Sequence, residues 1–211
     1  SAPKSRIGAL LGLADKCDTL VGALGAGLLP TGSQDPYGLR RAAQGIVEIL
    51  LMLRLQLPLA DLLQTAASQH GPTRPALVDE VMEFLRQRLR ALLIDRGIRY
   101  DLVDAVLAAG GDDLLSAADR AETLQRISTR PEFARLYVAY DRASRILGPD
   151  AARSVDRALF EHPAERVLDD AVRAAVPEVQ RHAAAGEWPQ VVQALVRLAG
   201  PVDRIFDDVL I

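Results

Sequence analysis

The fold of this chain is decided by ADKCDTLVG (residues 14–22) and PTGSQDPYGLRR (residues 30–41). The first segment lies within one apolar, helix-like stretch, and the second leads into the next. The prolines of the connecting loop restrict its backbone, and its glycine allows a tight turn. Thr31, Ser33 and Asp35 carry side chains that can bond nearby backbone groups. We therefore predict an ordered loop between two helices, with Asp35 as the N-cap of the second and Pro36 at its first position.

Two arginines open this second helix, at positions 40 and 41. The helix dipole disfavours cations at an N-terminus, so Arg40 and Arg41 need a partner. The acidic side chains at hand are Asp15 and Asp18, which share a helical face at spacing i, i+3, and Asp35 in the loop. We expect the arginines to pair with these carboxylates.

Composition and periodicity predict an all-α chain. Apolar residues make up 49% of the 211 residues, but aromatic residues make up only 4%, and Ala and Leu are frequent. This balance favours helix over sheet. The apolar residues recur every three or four positions, as on the buried face of a helix. In the first helix these are Leu10, Leu13, Cys17, Leu20 and Leu24.

Charge and cysteine content narrow the class of protein. The net charge is -3, so any contact with nucleic acid must use a local basic surface. One cysteine excludes an internal disulfide framework and fits a reducing cytoplasm. No apolar run reaches the roughly 18 residues of a membrane span. We expect a cytoplasmic protein with no membrane and no DNA partner.

Further motifs follow in the chain. RGIRYDLVDAVLA occupies residues 96–108 and FARLYVAYDRASRIL occupies residues 133–147. Together with the two segments quoted first, and in the same order, they resemble the beta subunit of the bacterial heterotetrameric glycyl-tRNA synthetase. The resemblance covers nearly the whole chain. Because the chain starts without Met and stops in an apolar run, we expect a piece of a larger subunit, with Ser1-Ala2 as a possible tag remnant.

The resemblance implies a division into domains. Residues 1–70 would be the C-terminal part of an HD-like helical domain. Residues 71–129 would be a connecting helical region. Residues 130–211 would begin a DALR-type anticodon-binding domain, cut short at its C-terminus. The expected fold is an all-α helical bundle.

The resemblance also implies a function. In this family the alpha subunit forms glycyl-adenylate from ATP, with Mg²⁺, and glycine, while the beta subunit binds tRNA(Gly) in a heterotetramer. The chain would contribute tRNA binding to a glycine--tRNA ligase. It would hold no catalytic residue, metal or cofactor of its own, and would be inactive alone.

A basic stripe gives the candidate tRNA contacts. Arg135, Arg142 and Arg145 share one face of a helix that starts near Pro131, and Tyr137 and Tyr140 flank its apolar side. Arginines can contact phosphates and an aromatic ring can stack on an unpaired base. The residues alone favour a solvated face with two core tyrosines. The resemblance points instead to tRNA contact by Arg135, Arg142, Arg145 and Tyr140.

Two other functions remain open. The spacing of Asp15 and Asp18 also resembles the last motif of HD-type metal phosphohydrolases, in which Asp15 would be a metal ligand. That site needs further His and His-Asp ligands, and the three histidines of this chain stand in unrelated contexts downstream. The family motif at Asp15, Asp18, Thr31, Ser33, Asp35, Arg40 and Arg41 is expected to be structural, as Cys17 is. A purely structural helical module is the third possibility.

Overall fold

The computed structural model describes residues 5–28, 35–71, 74–147 and 154–209. Within these ranges all regular structure is helical, which confirms the all-α prediction. The loop positions 29–34, including Thr31 and Ser33, lie outside the described residues. The helices are α1 (Arg6–Gly25), α2 (Leu39–Leu53), α3 (Leu59–Gln69), α4 (Leu77–Asp95), α5 (Tyr100–Ala108), α6 (Leu114–Ile127), α7 (Pro131–Ile146), a short 3-10 turn (Arg157–Leu159), α8 (Pro163–Ala184), α9 (Trp188–Val196) and α10 (Ala199–Asp208).

The chain forms two compact units, unit 1 (Ser1–Glu122) and unit 2 (Thr123–Ile211). The boundary falls within α6. The finer division at residues 70 and 129, with its HD-like and DALR-type domains, stays a prediction.

The core of unit 1 is built around α4. Apolar side chains recur at every fourth position of this helix, so they form one stripe along its length. All are at most 1% exposed: Leu77, Val81, Leu85, Leu89 and Leu93. Helices α1, α2, α3 and α5 all pack against α4. It is therefore the central helix of unit 1.

The stripe of α1 follows the sequence prediction with one exception. Leu13, Cys17, Leu20 and Leu24 are buried, but Leu10 is 43% exposed. Burial raises the pKa of the Cys17 thiol to about 11, because the thiolate would lose its hydration. Cys17 is thus a protonated core side chain, as expected.

The start of α2 differs from the prediction. The helix begins at Leu39 rather than near Pro36, because Gly38 adopts a left-handed conformation with φ 67° and interrupts the helical path. Asp35, four residues before the first residue of α2, still caps this helix. Its Oδ2 accepts a hydrogen bond from the backbone N–H of Arg40 at 3.1 Å.

Unit 2 is assembled from α7 to α10. Helix α8 packs on α9 and α10, and α7 packs on α9 and α10. A capping box starts α8, in which the His162 and Glu165 side chains each bond a backbone N–H at the helix start.

The contact between α7 and α10 includes one carboxylate and one ring. Asp203 of α10 lies 3.7 Å from a guanidinium nitrogen of Arg135 and 3.5 Å from one of Arg142. The Arg142 guanidinium also lies over the Phe206 ring, 4.5 Å from its centroid. Asp203 therefore serves two arginines of α7 at once, and one of them is also held by a cation–π contact.

We predict that Leu85→Ala destabilises unit 1 by about 2–5 kcal/mol, because Leu85 is fully buried at the middle of α4. Gln87→Ala, on the exposed side of the same helix, is the control and should change stability by less than about 0.5 kcal/mol. Urea unfolding followed by helical circular dichroism measures both. Equal losses for the two variants would contradict the central position of α4.

We also predict that Asp203→Asn destabilises unit 2 by up to about 1 kcal/mol, because two partly exposed ion pairs lose their carboxylate. The matched control is Asp141→Asn, which removes a single i, i+4 pair with Arg145. Its effect should be smaller. Repeating the unfolding in about 1 M NaCl, where exposed charges are screened, should bring the two variants together. A larger effect at Asp141 would contradict the double role of Asp203.

Candidate nucleic-acid interface

The basic stripe of α7 is present, but its three arginines are not equivalent. Arg135 and Arg145 have 67% and 76% of their side chains exposed, whereas Arg142 has 38%. Arg142 is the member that both Asp203 and the Phe206 ring hold. Arg145 pairs with Asp141, one turn earlier on α7, at 3.0 Å. Arg145 is therefore the member best placed to meet a ligand, and Arg142 fixes α7 to α10.

The two tyrosines of α7 point to solvent. Tyr137 is 61% exposed and Tyr140 is 68% exposed. Their assignment as core side chains, the reading that the residues alone favoured, is wrong. Val138, between them, is also 49% exposed. Helix α7 thus presents two exposed aromatic rings, which suits stacking on an unpaired base.

The expected pairing of Arg40 or Arg41 with a carboxylate stays a prediction. Asp18 of α1 bonds His70, with 2.8 Å between Oδ1 and Nε2. Gly22 makes room for this contact, since a Cβ there would lie 2.9 Å from Cε1 of His70. Asp15 lies on the exposed side of α1. The motif residues Asp18 and Gly22 therefore join α1 to the end of α3.

Sequence reasoning missed His70 because it stands 52 residues from Asp18. It follows the last residue of α3 as the C-cap, where its ring reaches back to α1. The signal for this contact is Gly22, four residues after Asp18, because a glycine inside a helix often marks the close approach of another group.

Arg41 lies along the turn that starts its own helix. A Cβ at Gly38 would lie 3.1 Å from a terminal nitrogen of Arg41, so the guanidinium rests over this glycine. Asp35 bonds the backbone of Arg40. The Arg41 side chain is thus accommodated at the start of its own helix.

The part of the chain that the structure describes holds no group of three or more His, Cys, Asp or Glu side chains that could bind a metal ion. The Asp18–His70 pair is the nearest approach to a ligand set around the α1 motif, and it lacks a third member there. The described helices also include none that is long and apolar enough to cross a membrane.

The sequence is similar to known proteins along its whole length. A relative from Geobacter metallireducens is 41% identical over 214 residues, and one from Desulforudis audaxviator is 39% identical over 213 residues. A third, from Anaeromyxobacter dehalogenans, is 40% identical over 218 residues. Each is named as a glycine--tRNA ligase beta subunit. Each alignment covers 99% of this chain and 31% of the relative, so the chain spans about a third of their length.

A family model described as "Glycyl-tRNA synthetase beta subunit" matches residues 1–108. That range runs from the α1 motif through α5 and includes the loop motif and the third motif at residues 96–108. The match covers half of the chain. The chain therefore belongs to the glycyl-tRNA synthetase beta subunit family.

Proposed function

We propose that this chain contributes tRNA binding to a glycine--tRNA ligase, which attaches glycine to tRNA(Gly) with ATP and Mg²⁺. The observation that carries the proposal is the exposure of Tyr137, Tyr140 and the Arg145 side chain on α7. Family membership supports the substrate. In this proposal the partners are the alpha subunit and tRNA(Gly), in the cytoplasm, with no membrane or DNA.

The candidate tRNA-binding residues of α7 have different roles in this proposal. Arg145, and to a lesser degree Arg135, contacts backbone phosphates of the tRNA. Tyr140 stacks on an unpaired base, as base–aromatic stacking tolerates any sequence. Arg142 is a positioning residue, because its contacts to Asp203 and Phe206 hold α7 against α10.

A local contact of this kind is consistent with the charge of the chain. A net charge of -3 gives no general attraction to RNA, so affinity depends on where the cations stand. The Arg145–Asp141 pair is exposed, and the approach of a phosphate can displace the carboxylate at small cost because such pairs are weak in water.

Adenylate formation belongs to the other subunit in this proposal, and the chain itself needs no cofactor. The motif residues Asp15, Asp18, Thr31, Ser33, Asp35, Arg40 and Arg41 support the fold. The alternative, a remnant of an HD-type metal-dependent phosphohydrolase, would require ligands beyond Asp15, Asp18 and His70.

We predict that Tyr140→Ala combined with Arg145→Ala weakens tRNA(Gly) binding by the complete synthetase by about tenfold or more. Loss of stacking accounts for most of it, since it contributes roughly 1–3 kcal/mol per base. Loss of one phosphate contact should also lower the slope of log K against log salt by somewhat under one. Fluorescence titration at several salt concentrations measures both quantities.

The matched control for this experiment is Arg173→Ala on α8. Arg173 is 58% exposed and pairs with Asp169 at spacing i, i+4, as Arg145 does with Asp141. Its loss should leave affinity and slope unchanged. If the α7 variant and this control behave alike, the α7 face is merely solvated and the tRNA contact lies elsewhere.

We further predict that the isolated 211-residue chain does not catalyse glycine-dependent ATP–pyrophosphate exchange, whereas the complete synthetase does. Exchange requires an adenylate-forming site, and this proposal places that site in the alpha subunit. Exchange above background by the purified chain would refute the assignment of the adenylate-forming site to the alpha subunit.

A further inference from the structure

A groove in unit 1 runs between α1 and α2, far along the chain from the α7 face. Its volume is about 720 Å³, and three cationic side chains line it: Lys16 of α1, Arg41 of α2 and Arg96 at the end of α4. Gly12 and Gly45 form part of its floor. Lys16 belongs to the first motif of the sequence and Arg41 to the second, and the structural position of Arg41 over Gly38 leaves its charge available to a ligand.

The position of Lys16 depends on Gly45. A Cβ at Gly45 would lie 2.7 Å from Cε and 3.1 Å from Cδ of Lys16, closer than side chains pack. The stem of Lys16 therefore lies flat against α2 at the one place where α2 has no side chain. Its Nζ is 3.8 Å from the position of a Cβ at Gly12. The ammonium group is thus held on the floor of the groove.

Among the described residues, no carboxylate lies within 4.0 Å of the charged nitrogens of Lys16, Arg41 or Arg96. Other arginines of unit 1 are paired at 2.8 Å or less, namely Arg54, Arg74, Arg90 and Arg99. The acidic residue in the groove is Glu48, whose Oε1 accepts a hydrogen bond from Gln44 at 2.8 Å. The groove therefore carries a local excess of positive charge within an acidic chain.

The lining also indicates which anion would fit. Among the described residues that line the groove there is no aromatic ring, so a nucleobase would find nothing to stack on. Ammonium and guanidinium groups along an open groove suit a chain of phosphates.

We propose that Lys16, Arg41 and Arg96 bind backbone phosphates of the tRNA, as a contact area separate from α7. This inference rests on the proposed function. The groove contacts no base, so it adds affinity whatever the sequence of the RNA. Through it unit 1 also contributes to the free energy of tRNA binding. The glycine at position 45 is required because it lets Lys16 lie in the groove.

The test is tRNA(Gly) binding by the complete synthetase carrying Lys16→Gln, Arg41→Gln and Arg96→Gln together. At moderate salt we expect affinity to fall by about 10- to 100-fold. The slope of log K against log salt should decrease by about two to three, since each lost phosphate contact removes somewhat under one. The control is the triple variant Arg54→Gln, Arg90→Gln and Arg99→Gln. It changes the net charge equally but removes arginines that already have carboxylate partners. It should leave affinity within about threefold.

A second variant keeps every charge. Gly45→Ala places a methyl group where the Lys16 stem lies, and alanine is favoured over glycine inside a helix, so the fold should be kept. We expect a several-fold loss of tRNA affinity with an unchanged or higher melting temperature. Unchanged affinity with Lys16 displaced would overturn the role of Lys16.

The outcomes separate this inference from the proposed function. If the wild-type synthetase binds tRNA and the α7 variant weakens binding, but the groove variant matches its control, the groove inference is overturned and the proposed function stands. If the α7 variant has no effect while the groove variant does, the α7 assignment fails and the groove stands. If the groove variant instead disrupts heterotetramer assembly in sedimentation with tRNA affinity unchanged, the groove binds an acidic protein surface and the inference is wrong.

Discussion

Burial of one side of α4 is the constraint on which unit 1 depends. Its stripe from Leu77 to Leu93 is at most 1% exposed, and α1, α2 and α3 all pack against this helix. Three helices that share one neighbour are brought close to each other as well. The approach of α1 to α2 and of α1 to α3 then requires positions without side chains, which Gly45 and Gly22 supply. These two glycines are therefore a consequence of packing around α4.

Helix limits could be predicted from the sequence where proline or glycine marks them. Pro131 begins α7, and α5 spans Tyr100–Ala108 before the glycines at 110 and 111. The start of α2 was misjudged because Asp35-Pro36 has the form of an N-cap followed by a first helical residue. The left-handed conformation of Gly38 intervenes, and local preference alone does not reveal which of two competing starts the tertiary structure selects.

The candidate site was predicted only in part, for a related reason. Helical spacing places Arg135, Arg142 and Arg145 on one side of α7, but it does not reveal that Asp203 binds two of them from another helix. Nor does spacing decide which side of a helix faces the core, so the residues alone favour a buried Tyr140, which is exposed. Contacts between residues more than fifty positions apart, such as Asp18 with His70, are set by packing and leave little trace in local pattern.

The burial of Cys17 has a use beyond stability. The chain has one thiol, and it lies on the core stripe of α1, 4% exposed. With a pKa of about 11, roughly one part in ten thousand is thiolate at neutral pH, and the thiolate is the form that reacts. Alkylation is therefore slow while α1 stays packed against its neighbours. The rate of labelling at this single position reports how often unit 1 opens, without any engineered probe.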